Sequence, residues 1–92
     1  MTTPTATARV TITNKLGLHA RPAMSFVELA GEHQSEVKVK KEDQIVDGKS
    51  IMQMMLLAAT QGTILEIIAE GEDADQAVKA LCELINRGFD ED

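Results

Sequence analysis

Along the chain of 92 residues, apolar positions recur with two different periods. Residues 8–14, ARVTITN, alternate Ala8, Val10 and Ile12 with polar neighbours, and residues 35–41, SEVKVKK, do the same with Val37 and Val39. A period of two marks a half-buried strand, because successive side chains point to opposite faces of a sheet. Residues 44–46, QIV, predict a short strand that pairs back across the polar turn at Lys41 to Asp43. TILEIIA, 63–69, predicts a fourth strand with Leu65, Ile67 and Ala69 on one face. Between the first two strands the period becomes helical: Ala23, Met24, Val27 and Ala30 share one side of residues 20–30, and Gly31 is placed as a C′ residue. Residues 51–59 predict a short apolar helix. Ala74 to Arg87 predict a longer one, whose stripe is Ala74, Ala77, Val78, Leu81, Leu84 and Ile85, with Gly88 following. The order βαββαβα with half-polar strands predicts an α+β open-faced sandwich: a four-stranded antiparallel sheet, three helices on one face and solvent on the other.

Composition narrows this to one domain over residues 1–92, large enough to bury roughly 60–65% of its unfolded surface. Phe26 and Phe89 are the only aromatic residues, so the core is aliphatic and rich in methionine. A single cysteine, Cys82, excludes an internal disulfide and the multi-cysteine zinc patterns; beside the last helical stripe it reads as an inert, half-buried thiol, and it suits a reducing cytoplasm. No basic segment followed by an apolar one opens the chain, and the longest apolar run, Met54 to Ala59, is too short to span a bilayer. These features predict a soluble cytoplasmic protein without a membrane partner.

The net charge of −6 is unevenly placed. Residues 1–50 carry seven Lys or Arg against six Asp or Glu, and residues 51–92 carry two against nine. Nucleic-acid binding is excluded on this balance. Anion chemistry belongs in the first half, which holds His19, Arg21 and Lys49, and the terminal FDED reads as a solvated end.

His19 lies between a Gly-Leu loop and the first helix, at or beside its N-cap. First-turn amides there lack intrahelical acceptors and the macrodipole is positive, which makes an anion site. Pro22 has no N–H, so the main-chain donors are those of Ala20, Arg21 and Ala23. The positive helix end also disfavours imidazolium and keeps His19 neutral, and a neutral imidazole can attack a phosphoryl group. The negative charge so acquired can be received by the same amides and by the Arg21 guanidinium. On residue types alone, a histidine at a helix start is equally an ordinary surface or capping residue. Ser50 with Gln53 forms a capping box before the second apolar run. His33, just past the first helix, reads as a solvated loop residue.

GLHARPA, 17–23, followed downstream by GKSIM, 48–52, resembles the histidine-containing phosphocarrier proteins (HPr) of the bacterial phosphoenolpyruvate:sugar phosphotransferase system. The resemblance runs from Val10 to about Ile85 and includes TQGT and AEGEDA. It implies that His19 accepts a phosphoryl group from phosphorylated enzyme I and passes it to a histidine of an enzyme IIA domain, with Arg21 assisting. Nδ1 is the ring nitrogen it implies; the sequence itself does not choose between the two. It further implies that Ser50 is a site for HPr kinase/phosphorylase, and that Met24, Ile51, Met52 and Met55 form the partner surface, a use to which flexible, polarizable methionine is suited. Met52 is the residue of that set expected to be most exposed. No cofactor or metal is implied, and the carrier is expected to act as a monomer. NKLGLHARPAM and GFDED look like NPr, the paralogue of the nitrogen-related system, whereas GKSIMQMM resembles substrates of the serine kinase, so the branch stays open. A purely regulatory module that docks on a regulatory protein such as a transcription factor, or on an enzyme, would need only the Met52 surface and Ser50 and could dispense with His19. A ferredoxin-like metal or small-ligand domain lacks any ligand cluster at suitable spacing.

Overall fold

The computed structural model describes residues 2–91. Strands β1 (Thr5–Thr11), β2 (Glu36–Lys41), β3 (Gln44–Asp47) and β4 (Ile64–Glu70) form one sheet in the order β1-β4-β2-β3, and every pair is antiparallel. Helices α1 (Ala20–Gly31), α2 (Ile51–Leu56) and α3 (Ala74–Asn86) complete the predicted βαββαβα order, and a short 3-10 turn covers Gly88–Asp90. The open-faced sandwich is therefore as the pattern predicted.

Register explains the alternation. Ala8, Ile67, Val39 and Val46 lie side by side across the four strands, so one face carries a continuous apolar row. Val10 pairs with Leu65, and Val37 with Ala69, on that same face. The other face carries Arg9, Glu66 and Lys40 in one row and is open. All six residues of the predicted α3 stripe are buried, as is Phe26 of α1. Burying Phe26 contributes about 1.5–3 kcal/mol by transfer alone.

Several boundaries differ from the sequence reading, each for a local reason. Gly31 is the last residue of α1 rather than C′; Glu32 is the C-cap. Helix α2 stops at Leu56 instead of Ala59 because Leu57 and Ala58 close the turn onto Met54 and Met55, and Ala58 turns the chain at φ 48°. That turn buries both Leu57 and Ala59. Met54 also points into the core, while Met52 is exposed. Cys82 is half-buried, and burial pushes its thiol up. His33 is no solvated loop residue: its Nδ1 lies 3.4 Å from Asp73 Oδ2 and the side chain is mostly covered. Among the described residues, no helix is long and apolar enough to cross a membrane.

Candidate functional site

The loop that delivers His19 is held by its own backbone. Gly17 N–H donates to the Asn14 carbonyl (3.1 Å), His19 N–H to the Gly17 carbonyl (3.0 Å), and Leu18 N–H to Ala59 O across the molecule (2.8 Å). Gly17 sits at φ +68°, and a Cβ there would lie 2.5 Å from Ala59 O, so only glycine fits. His19 is the N-cap of α1, with extended backbone and no side-chain cap bond. Its imidazole turns elsewhere. Nε2 lies 2.9 Å from Oε2 and 3.1 Å from Oε1 of Glu91.

Glu91 is itself held by Asn14, whose Nδ2 donates to Glu91 Oε1 (2.9 Å) and to the Gly17 carbonyl (2.8 Å). Burial pushes the Glu91 carboxyl up, but hydrogen bonds from His19 and Asn14, with the charges of His19 and Arg21, outweigh it and leave the group below its ordinary value. The acidic terminus is thus not a solvated end: Phe89 is buried and Glu91 reaches the histidine, while Asp92 lies outside the described residues. Leu16, His19, Arg21, Asp90 and Glu91 line a shallow concavity of about 370 Å³.

The helix end is less open than the sequence suggested. Ala23 N–H is committed to the His19 carbonyl (3.0 Å), a correction forced by the first intrahelical bond, and this leaves the amides of Ala20 and Arg21 without acceptors among the described residues. Arg21 is exposed and has no ion pair among those residues.

What this arrangement belongs to is decided by residues 6–87, which match the family described as PTS HPr component, phosphorylation site. The chain belongs to the HPr family. It is a phosphocarrier of the phosphotransferase system. Phosphocarrier protein HPr of Pseudomonas aeruginosa is 54% identical over 83 residues, covering 89% of this chain and 92% of that one. Phosphocarrier protein NPr of Shewanella violacea is 36% identical over 83 residues, covering 90% and 91%. A crystal structure of HPr-C-His from Thermoanaerobacter tengcongensis superposes with a TM-score of 0.91 at 42% identity, over 95% of this chain and 98% of that one.

In this HPr-family chain the other residues singled out from the sequence fall around α1 and α2. Met24, Ile51 and Met55 are exposed and Met52 is 78% so, which leaves an apolar surface on those helices. Sequence reasoning missed Leu16, 74% exposed, and Leu56, 67% exposed. Ser50 caps α2 through its Oγ, which accepts from Gln53 N–H (3.2 Å). The box is only half closed: Gln53 Oε1 accepts from Asp47 N–H (2.9 Å) instead of Ser50, whose N–H donates to the Asp47 carbonyl. Asn14 and Glu91 were also missed. The available signal was Phe89, an aromatic residue directly after a helix-ending glycine.

Proposed function

We propose that His19 is the phosphoryl acceptor, that it reacts at Nδ1, and that it carries the group from phosphorylated enzyme I to a histidine of an enzyme IIA domain. One observation carries the choice of nitrogen: Nε2 is occupied by Glu91, while Nδ1 has no hydrogen-bond partner among the described residues. The amides of Ala20 and Arg21 and the Arg21 guanidinium supply donors for the phosphoryl oxygens. The phosphohistidine is transient, so the protein is a carrier and not an enzyme. Met24, Ile51, Met52 and Met55 form the docking surface, extended by Leu16 and Leu56. Ser50 is the regulatory site, for HPr kinase/phosphorylase. The carrier acts as a single domain and a monomer in the cytoplasm.

Greater similarity to the HPr of Pseudomonas aeruginosa than to the NPr of Shewanella violacea favours the sugar branch over the nitrogen-related one. The test is incubation with phosphoenolpyruvate and a cognate enzyme I. The parent protein gains one acid-labile, base-stable phosphate, and His19→Ala gains none. A folded alanine variant that is still labelled removes His19 from the mechanism.

A further inference from the structure

We propose that Met24, Met52 and Met55 are oxidation sites, and that their conversion to methionine sulfoxide closes the docking surface while leaving the fold and His19 intact. The inference rests on the docking reading above and adds to it a chemistry that switches that surface. The chain has five methionines; Met1 lies outside the described residues, and the other four divide sharply. Met24 is 50% exposed, Met52 78% and Met55 42%, whereas Met54 is fully buried. Helices α1 and α2 pack against each other, so the three exposed thioethers lie on neighbouring elements.

Competition decides where an oxidant acts first. The one thiol, Cys82, is half-buried, and burial pushes it up, so it offers little of the thiolate that reacts. The chain has no Trp and no Tyr. A thioether has no proton to lose, so its reaction is governed by access, and access selects Met24, Met52 and Met55. The oxidant is a peroxide. A sulfur lone pair attacks one peroxide oxygen; the S–O bond forms as the O–O bond breaks, and the sulfur gives up two electrons. With hydrogen peroxide the departing hydroxide takes the proton of the transferred oxygen and leaves as water. Each event adds one oxygen atom and no charge.

The effect follows from what the surface has to do. A partner that covers these side chains removes them from water, which a thioether tolerates and a sulfoxide oxygen, a strong hydrogen-bond acceptor, does not unless a donor meets it. The exposed side chains of Ile51 and Leu56 on the same surface supply no donor. Oxidation also replaces a flexible apolar side chain by a polar, chiral one, which ends its use as an adaptable contact. Met54, whose oxidation would disturb the core, is sheltered.

The test treats the folded protein with hydrogen peroxide, removes the peroxide and maps the added oxygen by peptide mass spectrometry. Oxygen appears on Met24, Met52 and Met55 before Met54 and Cys82; the reverse order overturns the site assignment. Two rates of His19 labelling are then read on the same sample, one from enzyme I, which has to dock, and one from phosphoramidate, a small donor that does not. The oxidised protein is labelled roughly tenfold more slowly by enzyme I at limiting carrier, and by phosphoramidate at the untreated rate. Methionine sulfoxide reductase restores the enzyme I rate, and dithiothreitol alone, which reverses thiol oxidation, does not. In a protein carrying Met24→Leu, Met52→Leu and Met55→Leu, peroxide leaves the enzyme I rate at its untreated value, whatever that value is. A protein carrying Met24→Gln, Met52→Gln and Met55→Gln, polar without oxidation, is slow with enzyme I from the start. If that glutamine variant is slow but the oxidised parent keeps its untreated rate, or if peroxide slows the leucine variant as much as the parent, the switch is overturned and the docking reading stands. A glutamine variant labelled at the parent's rate overturns the docking reading and the switch with it.

Discussion

At the scale of single residues, the candidate site sets the proposed phosphoryl acceptor, His19, between two groups of opposite charge, Glu91 and Arg21. Glu91 addresses the ring; Arg21, exposed and without an ion pair among the described residues, is available to phosphoryl oxygens. A hydrogen bond to a charged group is worth about 1.5–3 kcal/mol, so Arg21→Ala should slow phosphoryl transfer roughly ten- to a hundredfold. Stability should stay within about 0.5 kcal/mol of the parent, because the exposed guanidinium has no ion pair among the described residues and acts on Glu91 only through its charge. Initial rates of His19 labelling together with a melting curve check this, and unchanged rates take Arg21 out of the mechanism. His19 and Arg21 were legible because the loop, the proline and the helix start are contiguous in sequence. Glu91 was not, since it lies 72 positions from His19 inside an acidic run that looks like any solvated end. Only the fold brings a carboxylate from the acidic half of the chain to the histidine.

At the scale of elements, α2 shows what periodicity reads well and where it stops. Its start was legible in Ser50, whose hydroxyl caps the helix. Its end was not, because Leu57 and Ala59 continue an apolar pattern that suits a helix and a buried turn alike. The first turn of α2 carries both the proposed regulatory serine and the start of the proposed docking surface, Ile51 and Met52. Aspartate is as good an N-cap as serine and suits the positive helix end, so Ser50→Asp should melt within about 1 kcal/mol of the parent. Docking tolerates it less, since the new charge borders an apolar patch and must lose water when a partner covers it. The expected result is normal melting with slower labelling from enzyme I. Labelling at the parent rate would leave Ser50 as a helix cap and nothing more.

At the scale of the whole molecule, strand faces were readable and strand order was not. Alternation shows which side chains share a face, but β1 pairs with β4, joining Thr5 to Glu70, and no local pattern encodes a partner that far away. The junction of α3 with the start of β2 was equally hidden. Asp73, the N-cap residue of α3, leaves its own helix uncapped and accepts instead from the N–H groups of Gln34 and Ser35, each at 2.9 Å, and from the Ser35 hydroxyl. The Ser35 hydroxyl and the Gln34 N–H, with smaller help from the Ser35 N–H and His33, hold its carboxyl well below the usual carboxylate range. A carboxyl so depressed stabilises the fold fully above its unfolded value of about 3.8, and that stabilisation is lost as pH falls through the lower folded value. Asp73→Ala should therefore melt below the parent at neutral pH, and the gap should close as pH drops beneath that range. Melting curves of both proteins across pH measure it; a gap independent of pH would mean that the carboxylate charge is not what joins the two elements.

The architecture also constrains how the carrier can be used. One face of the sheet is spent on the core, and the proposed surface gathers on α1, α2 and the loop before α1, around a single imidazole. Donor and acceptor proteins would then claim the same small territory. They cannot be bound together, so each must leave before the other arrives, and turnover follows a ping-pong course in which too much unphosphorylated donor slows the relay by sitting where the acceptor needs to land.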